Sequence, residues 1–503
     1  MDPKRLIEIF PRGRLTRRVA ALTIILFILF VGFRRTPPTS QPIPLAPALS
    51  PRGIPNFKRQ VQFWHELRDL LELNPPGIDA PKRLKRVDEV IFDPNTTYVR
   101  QDLLYIPDRD LPLIKKSHDR VVKKIKADNA ALRLVYDRGK RGIVSATTGK
   151  HFPSLLISLR MLRRSGTRFP VEVFIASEKE YDAVICDEIL PKMNANCIVM
   201  SDILGTDTNY NLEHHWLKTF AILFSSFEQL LWLDVDSFPL HDAIELFQSK
   251  PFTEIGLVTW PDFWVSSVSP YYYNFTSQPV PPVSERASTS GRQLLLSKKT
   301  HAKTLILASY YNYHGPMHYS RLFSQGGPGE GDKESFLAAA SILNQPFYAV
   351  SEPIRSMGHL NVHGKMTGYA MAQYSPTEDF QLTSQGIYRV KNPNAAPAPH
   401  PFIIQVSNPK INPVDIFRPS MKHYKLDSPI RGPGDELTRA WVEEKETVDS
   451  IGGPNVERQF WSQVTWTACT LEKLNFKLWK DQRGTCKRAN EYFDAVFSTS
   501  NNG

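Results

Sequence analysis

Short apolar runs alternate with stretches of helical spacing through the middle of this chain. Gly142–Ala146, Val171–Ala176, Cys197–Met200, Gln229–Leu233 and Ile255–Trp260 each read as a strand. Between them, Phe152–Leu162 puts Leu155, Leu156, Leu159 and Leu162 on one side of a helix, and Lys179–Leu190 and Glu213–Phe224 read as further helices. Strands alternating with helices at this spacing predict an α/β domain on a doubly wound, mostly parallel sheet. Upstream, Phe57, Val61, Trp64, Leu67 and Leu71 fall at helical spacing, and Leu111–Val135 reads as a lysine-rich helix. Beyond Thr300 the pattern loosens into mixed helix and loop, and from Ser428 it is less regular. The expected order is a helical stem or cap region over 57–137, a main domain over 138–427 and an extension over 428–503.

The N-terminal segment has a different character. Val19–Phe33 is an uncharged apolar run of fifteen residues, flanked by Arg17 and Arg18 on one side and Arg34 and Arg35 on the other. It is shorter than the roughly 20 residues of a usual span, but arginines at its ends can snorkel and lengthen it. A cleaved signal peptide is the alternative; the arginines directly behind the run and the lack of a small-x-small site favour an uncleaved anchor. Residues 1–35 hold eight basic and two acidic residues, which is +6 of the chain's +11. Charge concentrated there points to membrane topology, not to a nucleic-acid-binding face. Seven prolines between Pro37 and Pro55 make a semi-rigid spacer. Tail 1–18, anchor 19–33 and stem 34–56 give the plan of a single-pass type II protein whose folded part is lumenal. At 41% apolar and 22% charged, the chain is neither mostly disordered nor a multi-span membrane protein.

Four cysteines suit an oxidising compartment. Of three pairings, Cys186 with Cys197 and Cys469 with Cys486 close the smallest loops. Asn95-Thr-Thr and Asn274-Phe-Thr are glycosylation acceptors that agree with a lumenal address.

The sharpest chemical signal is Leu230-Leu-Trp-Leu-Asp-Val-Asp236, an apolar strand that breaks at its carboxyl end into Asp234-x-Asp236. Two carboxylates there suit a shared hard cation, Mn²⁺ or Mg²⁺, bridging a nucleotide diphosphate. Two capping aspartates at a turn are the plain alternative. On the metal reading, truncating Asp236 should abolish function, cost little stability and even relieve repulsion between the two carboxylates.

Leu217–Phe227, Asp234-Val-Asp236, Trp260-Pro-Asp262, Gly331–Phe336, Glu352-Pro353, Gly358-His359, Gly368–Gln373 and Asn408-Pro-Lys410 together resemble the fungal MNN-type α-1,3-mannosyltransferases. The resemblance runs from about Gly142 to about Pro413. It implies a GT-A fold, a Golgi address, and retaining transfer of mannose from GDP-mannose to a mannose-containing glycan on protein. It makes Lys218 and Asp234 nucleotide-sugar contacts, and Asp234, Asp236 and His359 the metal ligands. Asp332 and Glu334, behind a glycine-rich loop, become candidates to orient the acceptor hydroxyl or the donor sugar, and Asp262 a candidate contact to either. Lys218 as a solvated helix charge, Asp262 as a turn residue and the acidic pair as a helix cap are the structural alternatives. The chain departs from the pattern in Ser288-Thr-Ser-Gly-Arg292, where relatives carry an acid, at Ser375, where they have aspartate, and near Gln405, where they have histidine. Another nucleotide sugar as donor, and a non-catalytic scaffold or lectin-like member of a Golgi glycosylation complex, are the alternative functions.

Overall fold

The computed structural model describes residues 53–127, 132–205, 215–408, 410–418, 428–479 and 482–498. The expected tail 1–18, anchor 19–33 and most of the stem lie outside the described residues. Among the described residues no helix is long and apolar enough to cross a membrane.

Helix Phe57–Glu72 buries the face that its spacing marks. Trp64, Leu67 and Leu71 are fully buried, each contributing about 1.5–3 kcal/mol on the usual scale. Trp64 meets Phe220 edge-on at 5.6 Å and donates its indole N–H to Leu204 O at 3.0 Å. This helix therefore packs into the same core as the sheet. Helix Leu111–Lys126 buries Ile114, His118, Val121 and Ile125, at intervals of four, three and four residues. It stops short of the expected Val135 because Ala127 leaves helical space at ψ 136°.

His118 sits on that buried face, with Nε2 2.8 Å from the Tyr311 hydroxyl. Burial pushes its pKa down to about 4 from 6.5. Between those values the unfolded chain binds a proton that the folded chain refuses. Stability is therefore full above about pH 6.5 and falls as pH drops toward about 4, by about 3 kcal/mol from this group. Denaturant midpoints of wild type and His118→Phe over this range check it: the variant should lose less on acidification. Equal slopes would place the acid sensitivity elsewhere.

A small ribbon, β1 (Lys82–Arg83) with β2 (Leu104–Tyr105), precedes the main sheet. Strands β3 (Asp137–Thr147), β4 (Val171–Ile175), β5 (Ala195–Val199) and β6 (Phe227–Leu233) are parallel. Next come β7 (Ser237–Pro239), β8 (Leu257–Thr259), β9 (Pro261–Val265), β10 (Ala287–Thr289), β11 (Gln293–Ser297) and β12 (Tyr348–Ala349). The main sheet runs β12-β8-β11-β6-β3-β4-β5, with β11 antiparallel to both neighbours. Alternate residues serve opposite faces. Val144, Phe174 and Ile198 pack with helices His215–Phe224 and Lys298–Tyr313, whereas Ile143, Val173 and Val199 pack with helix Phe152–Arg164. The expected doubly wound, mostly parallel sheet is present.

Four expectations need correction. Lys179–Leu190 is not one helix but short turns at Glu178–Glu180, Val184–Ile189 and Pro191–Met193, restarted where Asp182 Oδ1 accepts from Ile185 N. Ile255 ends helix Lys250–Ile255, and Gly256, at φ 83°, turns the chain into β8. The region after Thr300 holds a second antiparallel sheet. It runs β13 (Arg355–Leu360), β14 (Met366–Tyr374), β15 (Pro401–Asn408) and then β7. The tail is regular: helices Gly453–Lys473 and Thr485–Phe497 pair with each other, and the first also packs on Phe152–Arg164.

Candidate functional site

β6 ends at Leu233, and the chain crosses to β7 through Asp234-Val-Asp236. The crossing is pinned on both sides. Asp234 N donates to Arg292 O at 2.8 Å, just before β11, and Val406 N of β15 donates to Asp236 O at 2.8 Å. It thus lies outside the carboxyl end of a central strand, the usual ligand position in open α/β sheets. A cleft of about 590 Å³ opens there.

Cations already surround the two carboxylates. Arg292 Nη1 donates to both oxygens of Asp236, at 3.0 and 3.1 Å, and lies 3.7 Å from Asp234. Lys410 Nζ lies 3.6 Å from Asp236 and 3.8 Å from Asp234. Burial would raise the Asp234 carboxyl, but Lys410 and Arg292 outweigh it and hold the group below its ordinary value. Asp236 is pushed up, first by burial and then by the Asp234 charge beside it. Deeper in, Lys218 Nζ pairs with Asp332 at 2.7 Å and donates to Gly291 O at 2.6 Å. Next to Asp332, Lys333 Nζ reaches Pro328 O at 2.6 Å and Asp262 at 3.4 Å.

The structure brings Lys218, Asp234, Asp262 and Asp332 to the cleft wall, with Asp236 buried directly behind. It does not bring Glu334 or His359 there. Glu334 is buried under the loop before β11, accepting from Arg286 Nη2 and Thr289 N, each at 2.8 Å. That position holds the loop and leaves no oxygen for an acceptor sugar. His359 belongs to β13, with Nε2 2.9 Å from Arg431 O and Nδ1 3.4 Å from Ala440 O. One ring N–H is taken up by a backbone carbonyl and the residue does not line the cleft, so His359 is not placed as a third ligand beside the aspartates. Of the departing positions, Arg292 and Gln405 line the cleft, the latter bonded to Gln293 Oε1, while Ser375 is buried. The cysteines form the pairs Cys186–Cys197 and Cys469–Cys486. Asn95 and Asn274 are exposed.

Arg292 and Lys410 had no assigned role from the sequence. Lys410 lies in Asn408-Pro-Lys410, and Arg292 stands directly before an apolar strand. What brings them to the acidic pair is sheet pairing, which no local pattern displays.

As arranged, the aspartates do not fit Mn²⁺ or Mg²⁺. Mg²⁺ needs oxygen ligands at about 2.0–2.1 Å in near-octahedral geometry. Here Asp236 is hydrogen-bonded to Arg292, both carboxylates face Arg292 and Lys410, and among the described residues no cluster of three His, Cys, Asp or Glu is placed to hold a metal.

Residues 140–293 and 284–375 match the model of a mannosyltransferase family. The chain is 34% identical over 388 residues to alpha-1,2-mannosyltransferase MNN21 of Candida albicans, covering 65% of this chain and 58% of that relative. It is 34% identical over 275 residues to alpha-1,2-mannosyltransferase MNN2 of Saccharomyces cerevisiae, covering 48% of this chain and 46% of that one. The chain thus spans about half the length of the curated relatives it matches. Among solved structures, the bifunctional glycosyltransferase WbbM superposes with a TM-score of 0.34 at 8% identity, over 65% of this chain and 52% of that chain. These relatives are named for an α-1,2 linkage, and they give no support to the α-1,3 linkage expected from the resemblance.

Proposed function

We propose that this protein is a mannosyltransferase that moves mannose from GDP-mannose onto a mannose of a glycan, forming an α-1,2 linkage. The observation that carries the reading is the cleft at the end of β6. There Lys218 and Arg292, within the residues that match the mannosyltransferase family model, converge with Lys410. Three cations suit a diphosphate, and the neighbouring carboxylates Asp262 and Asp332 suit sugar hydroxyls. A second cavity of about 790 Å³, whose walls include Trp260, Arg286 and Tyr388, shares Asp262 and Phe263 with the first. It is the place for the acceptor glycan, which puts Asp262 between donor and acceptor. The proposed fold type is GT-A. The proposed address is the Golgi lumen, with 19–33 as the anchor; two disulfides in the folded part support an oxidising compartment.

The test is transfer by the purified full chain from GDP-mannose to an α-mannoside, with the product digested by an α-1,2-specific mannosidase. Mannosylated product that the mannosidase reverses is expected. A product resistant to that enzyme would remove the linkage, and transfer only from a UDP-sugar would remove the donor. No transfer from any nucleotide sugar would favour the scaffold reading.

A further inference from the structure

We infer that the open N–H donors of Arg292 and the ammonium of Lys410 together receive the diphosphate of the nucleotide sugar, so that this site works without a divalent ion. The inference rests on the nucleotide-sugar reading above and extends it to how the leaving group is held.

Asp236 is buried, and its two oxygens accept from a single nitrogen of Arg292, at 3.0 and 3.1 Å. Using one nitrogen for both oxygens leaves Nε and Nη2 of the guanidinium with no protein partner among the described residues, on a side chain that is 31% exposed in the cleft. A guanidinium held on one side and open on the other is a fork suited to phosphate oxygens. The backbone fixes it as well, because Arg292 O accepts from Asp234 N and β11 begins at the next residue. Lys410 faces the same two carboxylates from β15's end of the cleft at 3.6–3.8 Å, too loosely to be spent on them. The aspartate pair thus holds organic cations where a metal would have sat. Two carboxylates with two cations leave no net charge, so the diphosphate is met by the directed N–H donors of Arg292 and the ammonium of Lys410, not by an excess of positive charge.

The chemistry balances without a metal. The bond between the anomeric carbon and the diphosphate oxygen breaks, leaving its electron pair on that oxygen. The acceptor oxygen bonds to the same carbon, and the hydroxyl proton passes to the departing diphosphate. Arg292 and Lys410 stabilise the charge that develops on the leaving oxygen. Asp236 and Asp234 are positioning residues for Arg292.

The experiment is calorimetric titration of the full chain with GDP, in EDTA and again in Mn²⁺. Equal affinity in the two conditions, within about twofold, is expected. Binding only in Mn²⁺ would overturn the inference and leave the nucleotide-sugar reading standing; binding in neither would remove both. Arg292→Gln should lose about 10- to 100-fold in EDTA, the worth of a charge-assisted hydrogen-bonding group. It should recover part of that in Mn²⁺, because the variant frees both carboxylates. Lys410→Met, at the cleft rim and only loosely paired, tests the same claim should Arg292→Gln fail to fold. It should lose about tenfold or more in EDTA with no recovery in Mn²⁺. Wild-type affinity in EDTA for either folded variant would overturn the proposal.

Discussion

Asp236→Ala is expected to weaken GDP binding in EDTA by about 100-fold and to lower folding stability by about 1–3 kcal/mol. The carboxylate is the only protein group to which the Arg292 guanidinium is hydrogen-bonded among the described residues. Without it the arginine turns toward solvent and the diphosphate loses its fork. Removing one partner of a fully buried pair costs about 3–5 kcal/mol, but Arg292 is 31% exposed and can be rehydrated, so the expected loss is smaller. This reverses what the two aspartates suggest in isolation, since relief of mutual repulsion is outweighed by stranding a cation. Asp236→Asn separates the causes. It keeps the shape and removes the charge, and should lose binding nearly as far while losing less stability. A truncated variant that melts and binds GDP like wild type would show that Arg292 is held by other means.

Glu334→Ala is expected to be the more damaging change to the fold, at about 2–4 kcal/mol, because it strands two donors. Arg286 Nη2 and Thr289 N both donate to this buried carboxylate, and Thr289 begins the turn that ends at Arg292. Burial alone would raise the Glu334 pKa, but Arg286 beside it and the Thr289 N–H hold it below 4.5. A depressed folded pKa means that the contribution is full above about pH 4.5 and is lost as pH falls through the folded value. Glu334→Gln keeps an oxygen for Thr289 and removes the charge. It should be destabilised at neutral pH and lose that part of the acid dependence. Chemical denaturation of wild type and both variants, at neutral pH and below pH 4.5, checks this. Undiminished stability of Glu334→Gln at neutral pH would mean that Arg286 is satisfied without the carboxylate, and that Glu334 is free to face a sugar.

The cleft was partly legible because some of its parts are local. Leu230–Leu233 reads as a central strand from its own residues, and an acidic pair at its end marks a ligand position in any sheet of this kind. The family resemblance marks Lys218 and Asp332 separately, on a helix and behind a glycine-rich loop, and the fold joins them at 2.7 Å. Glu334 and His359 were misplaced for one reason. Sequence neighbours share a region but not a direction, so Glu334, two residues beyond Asp332, turns under the loop. His359 lies on the outermost strand of the second sheet, with two strands between it and β7. The tail's long helix shows Phe460, Trp461, Val464, Ala468 and Leu471 at helical spacing, a pattern that could have been read.

Periodicity by itself determined the parallel strands β3 to β6, the flanking helices Phe152–Arg164 and His215–Phe224 and the acidic end of β6. Each is set by side chains that alternate or repeat within a dozen residues, and burying such a pattern leaves few alternatives. The cysteine spacing likewise pointed to the two short-range pairs that the fold closes. Only the tertiary structure decided what the aspartates face. Arg292 lies 56 residues beyond Asp236, and the antiparallel pairing of β11 with β6 carries it there. Lys410 arrives from beyond β15, which pairs with β7 directly after the acidic turn. Ion pairing depends on distances of a few ångströms, which strand register sets and sequence separation does not reveal. The same Asp234-x-Asp236 would suit a metal or hold an arginine according to which strand the fold lays beside it.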